Sequence, residues 1–429
     1  MKKFGIWLII LINLGTLSLW ILSKENLGLV LVRPYRSIAQ ITGLLAAAFS
    51  AIQFLLAARW KVVEKFFGGL DKVYRAHAYA GGLAFILMLN HPLALALNVL
   101  PSAPAALNYF WLSNDLSYNF GVLALYFMLL LLVLTLFVRL PYHIWKKTHT
   151  FLFVPQILIL LHIIFINSDT SQYLPLKIWM LSLSALGLLA YAYKKFLYPN
   201  LGYRHAYEIA GVKQLGSIIE INMLPLAKEI NFLPGQFVFL SFKSDKLSKE
   251  EHPFTISSWP QQKELRVSVK ALGDFTKRLA ELKPKDKVSV YGPFGQLGEK
   301  SLFSEKDDVW IAGGIGITPF LSLLAYYSNK KLKKKIWLFY TVRNVEDAVY
   351  AQEMRDMSRI NPNIEIITAI TSQGERLSGD AVVEKIETVK NKNFFLCGPL
   401  SLINDLTEQL YELGARPGQI ILEEFNFLP

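Results

Sequence analysis

Six apolar stretches fill the first half of the chain, at roughly residues 4–22, 38–57, 76–98, 118–138, 150–167 and 176–193. Crossing a bilayer takes about 20 helical residues, so the pattern predicts six membrane spans, the fifth at the short end of the range. Beyond about residue 198 the pattern changes. Short alternating runs, SIIEI (217–221), GQFVFLSF (235–242), ELRVSVKA (264–271) and KVSVYGP (287–293), predict a small antiparallel barrel. From residue 307 strands alternate with helices. DDVWIAGGIGITPFLSLLAYY (307–327) reads as strand, glycine turn and helix, and KKIWLFYTVRN (334–344), NIEIITAIT (363–371) and NFFLCGP (393–399) supply further strands. That order implies a doubly wound parallel sheet, which binds its ligand at the carboxyl ends of the strands. The expected fold class is a multidomain membrane protein: a six-helix transmembrane bundle over 1–198, an antiparallel β-barrel over 199–304 and an α/β doubly wound parallel sheet over 305–429.

Charge orients the spans. The connection between spans two and three carries Arg59, Lys61, Lys65, Lys72 and Arg75, that between four and five carries Arg139, Lys146 and Lys147, and loop 99–117 has no Lys or Arg. The positive-inside rule then puts both termini in the cytoplasm, with Lys24, Arg33 and Arg36 of loop 23–37 as a dissent. The first stretch follows Lys2 and Lys3 but lacks a small-residue cleavage pattern, and it reads as a span rather than a secretion signal. A net charge of +12 suits cytoplasmic loops facing anionic lipid and calls for no nucleic acid. The lysine run Lys330, Lys331, Lys333, Lys334 and Lys335 reads as a solvated turn before a strand.

Ionisable residues are rare inside membrane spans, yet His77 and His91 lie in the third and His149 and His162 in or beside the fifth. Spans three and five both run from inside to outside. Their histidines therefore meet at two depths, His77 with His149 and His91 with His162, and each depth offers two neutral imidazoles to one iron. At about 100° per residue, His91 falls within about 40° of His77, whereas His162 is about 140° out of phase with His149. The fifth helix needs a distortion, and Pro155 lies between the pair. The alternative, four separate polar residues each bonded to a neighbouring helix, is the weaker account of all four together. The single cysteine, Cys397, excludes a four-thiolate iron–sulfur cluster, a covalent c-type haem and an intrachain disulfide. The irons expected are therefore two haems b.

The glycine turn Gly313, Gly314, Ile315, Gly316, Ile317, Thr318, Pro319 stands where a doubly wound sheet binds a pyrophosphate, between a strand and an apolar helix. With it come His252-Pro253-Phe254-Thr255-Ile256-Ser257-Ser258, Gly292-Pro293-Phe294-Gly295, the turn Cys397-Gly398-Pro399 and an E-E-F near the C-terminus. In this order, and with the histidine spacings, the chain from about residue 38 to 427 resembles the NADPH oxidase and ferric reductase family. The resemblance implies FAD, NADPH (or NADH) and an NAD(P)H oxidase or ferric-chelate reductase type flavocytochrome b. It implies that Thr255 and Ser257 hydrogen-bond the flavin and that His252, Pro253, Phe254 and Ile256 belong to its pocket. Lys270, Gly273, Asp274, Phe275 and Thr276 would hold the FAD pyrophosphate. Thr318 and Cys397-Gly398-Pro399 would flank the nicotinamide, and Phe425, in preference to Phe427, would cover the isoalloxazine. Cys397 could equally be a small buried apolar residue. Arg343, just past the second strand, is the candidate for a 2′-phosphate and favours NADPH over NADH, with Glu346 and Asp347 close by.

A nicotinamide gives two electrons as hydride, a haem accepts one, and a flavin can do either, so FAD is the converter between them. The expected route runs from cytoplasmic NAD(P)H through FAD and two haems to an extracytoplasmic acceptor, O2 or ferric iron, and it is electrogenic. The oxygen-site histidine of eukaryotic family members is here Leu95, and Arg36 is only a loose candidate for their outer arginine, so the acceptor stays open. An electron-transfer subunit feeding a quinone or a partner protein at the outer face, and a flavin reductase merely anchored in the membrane without haem, are the other readings. No EF-hand loop is present, and constitutive turnover is expected.

Overall fold

The computed structural model describes residues 4–244, 247, 248, 250–328 and 330–423. It divides into two compact units whose boundary in sequence falls between Asn200 and Leu201.

In the first unit six helices are long and apolar enough to cross a membrane. Helices α1 (Phe4–Leu22), α2 (Pro34–Ala57), α3 (Leu70–Asn98) and α4 (Leu116–Leu136) are followed by a divided fifth span, α5 (Tyr142–Thr150) and α6 (Phe153–Phe165), and by α7 (Leu174–Ala192). The buried residues of α2 are mostly small, among them Ala46, Ala47, Ala48, Ser50 and Ala51, whereas Trp7, Leu11 and Leu14 of α1 face outward. That inversion suits lipid, where helices gain little by hiding leucine and much by approaching closely. At Gly187 of α7 a Cβ would stand 2.8 Å from the Ala51 carbonyl oxygen of α2. Polar groups are paired across helices: the Trp179 indole donates to Thr16 Oγ1 at 2.8 Å, and Ser50 Oγ donates to Gln156 Oε1 at 2.7 Å. Lys24, part of the dissent in the charge pattern, forms an ion pair with Asp169, whose carboxylate also accepts from the Trp20 indole at 3.0 Å.

The fifth span breaks at Phe151 and Leu152, four residues before Pro155. A proline has no N–H for the carbonyl four residues back, and its ring crowds that carbonyl. The distortion expected between His149 and His162 takes the form of a break between two helices.

The second unit holds two sheets. Strands β1 (Arg204–Leu215), β2 (Ile218–Pro225), β3 (Phe237–Lys243), β4 (His252–Thr255), β5 (Leu265–Lys270) and β6 (Lys287–Phe294) form an antiparallel sheet in the order β4-β3-β6-β1-β2-β5. A bridge between Ile256 and Val267 joins its two ends into a barrel around Ile221, Val238, Leu240, Ile256, Val267 and Val290. Two of these strands escape the sequence pattern: β1 buries only Tyr207 and Ile209 among twelve residues, and β4 is four residues long.

The second sheet is parallel. Strands β7 (Asp307–Gly313), β8 (Ile336–Val342), β9 (Ile364–Ile370), β10 (Lys392–Cys397) and β11 (Ile420–Leu422) lie in the order β11-β10-β7-β8-β9, with helices α8 (Thr318–Ser328), α9 (Ala351–Arg359), α10 (Gly379–Ile386) and α11 (Leu400–Glu412) between successive strands. The strand order reverses between β7 and β10, which opens a crevice at their carboxyl ends.

The lysine run departs from a solvated turn at one position. Lys334 is buried beside Asp308, with Nζ 2.7 Å from Oδ2, and Ser301 Oγ donates to the same oxygen at 2.6 Å. Burial pushes the Asp308 carboxyl above the usual carboxylate range even with the ammonium against it. Removing one partner strands the other in a poor solvent. Lys334→Met should therefore cost about 3–5 kcal/mol and lower the thermal midpoint followed by flavin release. The double variant Lys334→Met/Asp308→Leu should recover most of the loss, and equal midpoints for wild type and Lys334→Met would refute the account.

Candidate functional site

In the first unit the four histidines form two pairs. The rings of His77 (α3) and His149 (α5) have centroids 6.0 Å apart, and those of His91 (α3) and His162 (α6) 6.5 Å apart. Two imidazoles bound end-on to one metal at about 2 Å place their ring centres roughly 6.3 Å apart, so both pairs have room for a shared ion. Two rings are oriented by main chain of neighbouring helices. Nδ1–H of His91 donates to the Ala39 carbonyl and that of His162 to the Ser117 carbonyl, both at 2.7 Å. A carbonyl can only accept, so in these two the proton sits on Nδ1 and Nε2 keeps its lone pair for a metal. His77 Nδ1 lies 3.2 Å from the Gln53 carbonyl and 2.9 Å from the Gln53 side-chain amide, so Gln53 holds this ring. The described residues contain no group of three or more metal-ligating side chains; two axial imidazoles suffice where a porphyrin supplies the remaining donors.

Two glycines with no motif around them in the sequence make space for this. A Cβ at Gly43 of α2 would lie 2.6 Å from His91 Nδ1, and one at Gly121 of α4 would lie 3.1 Å from the His162 ring. Small residues recur in both helices, so only packing distinguishes these two. Leu95 stands half-buried one turn beyond His91.

In the second unit the two candidate flavin segments, His252–Ser257 and Lys270–Thr276, come together although twelve residues separate them. The His252 ring stacks on Phe275 with centroids 3.8 Å apart, and His252 Nε2 lies 3.1 Å from a Glu250 carboxylate oxygen. Strand alternation sends Phe254 and Ile256 into the barrel core. Thr255 is buried in β4, and Pro253 is paired opposite Phe239. The Ser257 side chain is fully buried, and its hydroxyl is within hydrogen-bond range of the Arg266 carbonyl (3.2 Å) and Ser268 Oγ (3.0 Å). Both partners lie on β5. The turn after Lys270 is more open. Thr276 Oγ1 accepts from the Leu272 and Gly273 amides, each at 3.0 Å, and the first-turn amides of the short helix Asp274–Arg278 have no partner inside the helix.

The same motif is bonded to the parallel-sheet half of the unit. Ser322 Oγ of α8 donates to the Ser258 carbonyl at 2.5 Å, and the Tyr350 hydroxyl donates to Ser268 Oγ at 2.6 Å. Arg266 donates to both carboxylate oxygens of Glu353 in α9, at 3.2 and 2.7 Å. Burial holds the Tyr350 phenol above its ordinary range, so it serves this network as a neutral donor.

At the crevice the glycine turn and the Cys397 turn touch. A Cβ on Gly316 would overlap the Cys397 carbonyl, one on Gly398 would lie 3.0 Å from Gly313 Cα, and one on Gly313 would lie 2.9 Å from Pro399. Gly314 has φ +53° and open space beside it, which is a conformation side chains disfavour. Thr318 and Pro319 are buried at the start of α8, with Thr318 Oγ1 donating to the Ile315 carbonyl at 3.1 Å. Cys397 is 3% exposed. Burial, reinforced by the nearby Glu423 carboxylate, pushes its thiol far above the usual thiol range. Phe425 and Phe427 lie outside the described residues.

Arg343 is exposed just past β8. A cleft at the carboxyl ends of β8 and β9 is lined instead by Thr341, Thr371, Arg376, Ser401 and Asp405, with the Arg376 guanidinium 3.5 Å from the Asp405 carboxylate. Neither residue is marked in the sequence, because they belong to a loop and a helix with no motif of their own.

Six membrane-length helices joined to a flavin-type barrel and a nucleotide-type sheet define an integral-membrane, NAD(P)H-linked flavin oxidoreductase. Three family models match in sequence: "Ferric reductase like transmembrane component" over residues 42–161, "FAD-binding domain" over 206–306 and "Oxidoreductase NAD-binding domain" over 310–408. Together these matches give the chain the fused architecture of a ferric reductase or NADPH oxidase-like oxidoreductase. It is 23% identical over 214 residues to the gamma chain of sulfhydrogenase 2 of Pyrococcus furiosus, covering 46% of this chain and 73% of that one. It is 28% identical over 167 residues to one component of the Na(+)-translocating NADH-quinone reductase of Pseudomonas aeruginosa, covering 36% of this chain but only 40% of that component. A flavohemoglobin structure from Malassezia yamatoensis superposes with a TM-score of 0.54 at 16% identity, covering 92% of this chain and 98% of that one, a likeness of fold alone.

A thiol pushed up by burial stays protonated at neutral and mildly alkaline pH. Iodoacetamide reacts with the thiolate, so labelling of Cys397 in the native protein should be about a hundredfold or more slower than in the denatured chain at every pH between about 7 and 8. Native labelling as fast as that of the denatured chain would show an accessible thiol with an ordinary pKa.

Proposed function

We propose that this chain oxidises cytoplasmic NAD(P)H and passes the electrons across the membrane to an extracytoplasmic acceptor, O2 (giving superoxide) or a ferric complex. The bundle over residues 1–198 would hold two haems b, on His77 with His149 and on His91 with His162, and both termini would face the cytoplasm. The observation that carries this reading is the pairing of four imidazoles at two levels, with the spacing an ion between them needs. The barrel over 199–304 would hold FAD through His252–Ser257 and the Lys270–Thr276 turn, and residues 305–429 would bind the nicotinamide nucleotide. When bound, the flavin supplies the conversion from hydride to single electrons and the haems supply one-electron conduction.

The protein's own contribution is position. Gly313, Gly314 and Gly316 bring main chain to the pyrophosphate at the start of α8, where the helix favours an anion. Thr318 and the Cys397–Pro399 turn border the place where the nicotinamide would lie. Ser322, Tyr350 and Glu353 hold the flavin motif against the nucleotide half. Likeness to a component of an NADH-quinone reductase supports a second reading, donation to a quinone or to a redox partner at the outer face, with the same internal route.

Anaerobic addition of NADPH or NADH to the purified protein should reduce b-type haem bands, and admitting O2, a ferric chelate or a quinone should reoxidise them at rates that rank the acceptors. Lack of haem bands would reduce the protein to a membrane-anchored flavin reductase. His91→Ala and His162→Ala should each lower the haem content from two per chain to one. Nucleotide choice is tested separately. An arginine that binds a 2′-phosphate contributes about 1.5–3 kcal/mol, so Arg376→Ala or Arg343→Ala should raise KM for NADPH about tenfold or more with little effect on NADH. Whichever variant does so identifies the anchor, and no change in either would oppose NADPH selectivity.

A further inference from the structure

His149 differs from the other three histidines. Its Nδ1 is buried without a hydrogen-bond partner among the described residues, while His91 and His162 each give Nδ1–H to a carbonyl and His77 Nδ1 is held by the Gln53 carbonyl and side-chain amide. What the His149 ring has is a face. Trp145, one turn earlier in α5, lies nearly parallel to it with centroids 5.2 Å apart and planes inclined by 16°, and Tyr142 stacks in turn on Trp145 at 5.9 Å and 23°. Positions i, i+3 and i+7 share one helix face, so α5 carries a column of three rings that ends at the first imidazole level.

The two kinds of support act differently on a ligand. A hydrogen bond from Nδ1–H to a carbonyl fixes the rotation of the ring and raises the basicity of Nε2. A stacked ring fixes the plane but lends Nε2 no electron density. The break at Phe151 and Leu152 adds to the difference, because it separates the short helix carrying His149 from α6, which carries the hydrogen-bonded His162.

We propose that Trp145 is the positioning residue for His149 and that His149 is the least firmly held of the four imidazoles, which makes the His77/His149 level the labile one of two unequal haem levels. This rests on the di-haem reading above. A less basic ligand stabilises the ferric state less, so this level should also have the higher reduction potential.

The test uses full-length protein in lipid nanodiscs, as wild type, Trp145→Ala and Trp145→Phe, with three readouts: haem per chain, low-temperature EPR of the oxidised protein, and the CO difference spectrum after dithionite. Wild type should hold two haems with two distinguishable low-spin signals. Loss of a supporting contact typically costs 10–100-fold in metal affinity, so Trp145→Ala should lose haem from one level about tenfold more readily. It should also change one EPR signal only and let CO bind at up to half of the remaining haem. Trp145→Phe keeps a ring in the stack and should behave as wild type. Two haems in wild type with unaltered signals and no CO binding in Trp145→Ala would overturn this inference alone. Equal loss from both levels would also overturn it, because Trp145 would then act on the bundle as a whole. Fewer than two haems in wild type would bring down the di-haem reading and this inference with it.

Discussion

An imidazole between membrane helices has two nitrogens to satisfy and no water to do it, and much of the first unit follows from how that is met. Ala39 and Ser117 offer carbonyls to Nδ1, which leaves Nε2 pointing elsewhere. A main-chain carbonyl within a helix is reachable only if that helix lies very close. Gly43 and Gly121, where a Cβ would press on His91 and His162, supply that closeness. The alanines and serines buried along α2 serve the same requirement, and the large apolar residues are left to the lipid.

The second unit solves a related problem with main chain. Three glycines let the end of β7 and the end of β10 approach until carbonyl and Cα are nearly in contact, and this happens where the strand order reverses. The flavin motif is then tied to the nucleotide half by buried polar bonds rather than by apolar packing alone. Ser258, Arg266 and Ser268 on one side meet Ser322, Tyr350 and Glu353 on the other. Such bonds are directional, so they set the angle between the halves as well as the distance, and a broken one leaves a buried group unsatisfied.

Element types were legible wherever burial imposes a strong period. The six spans, the later barrel strands and the first four parallel strands follow from hydrophobic pattern because each buries a long apolar run. Strand β1 was not legible, since Tyr207 and Ile209 are its only fully buried apolar residues and the rest of it is polar or half-exposed. Lys334 was misread for the complementary reason: within a run of lysines nothing local marks the one that Asp308 draws inside. Arg376 and Asp405 share a cleft only because β9 and α11 end at the same edge of the sheet.

The sequence by itself determined that the chain spans a membrane, that two pairs of histidines recur at matched spacing, and that a barrel and a glycine-turn sheet follow. These are one-dimensional properties, set by apolar runs and by intervals along helices of known rise. Only the tertiary structure decided which group each ring leans on, that Pro155 produces a break, and that Ser257 turns inward while His252 stacks on Phe275. It also decided that His149 leans on Trp145 where its three counterparts lean on polar groups of neighbouring helices. These outcomes depend on distances of a few ångströms between residues far apart in the chain, and such distances are set by packing.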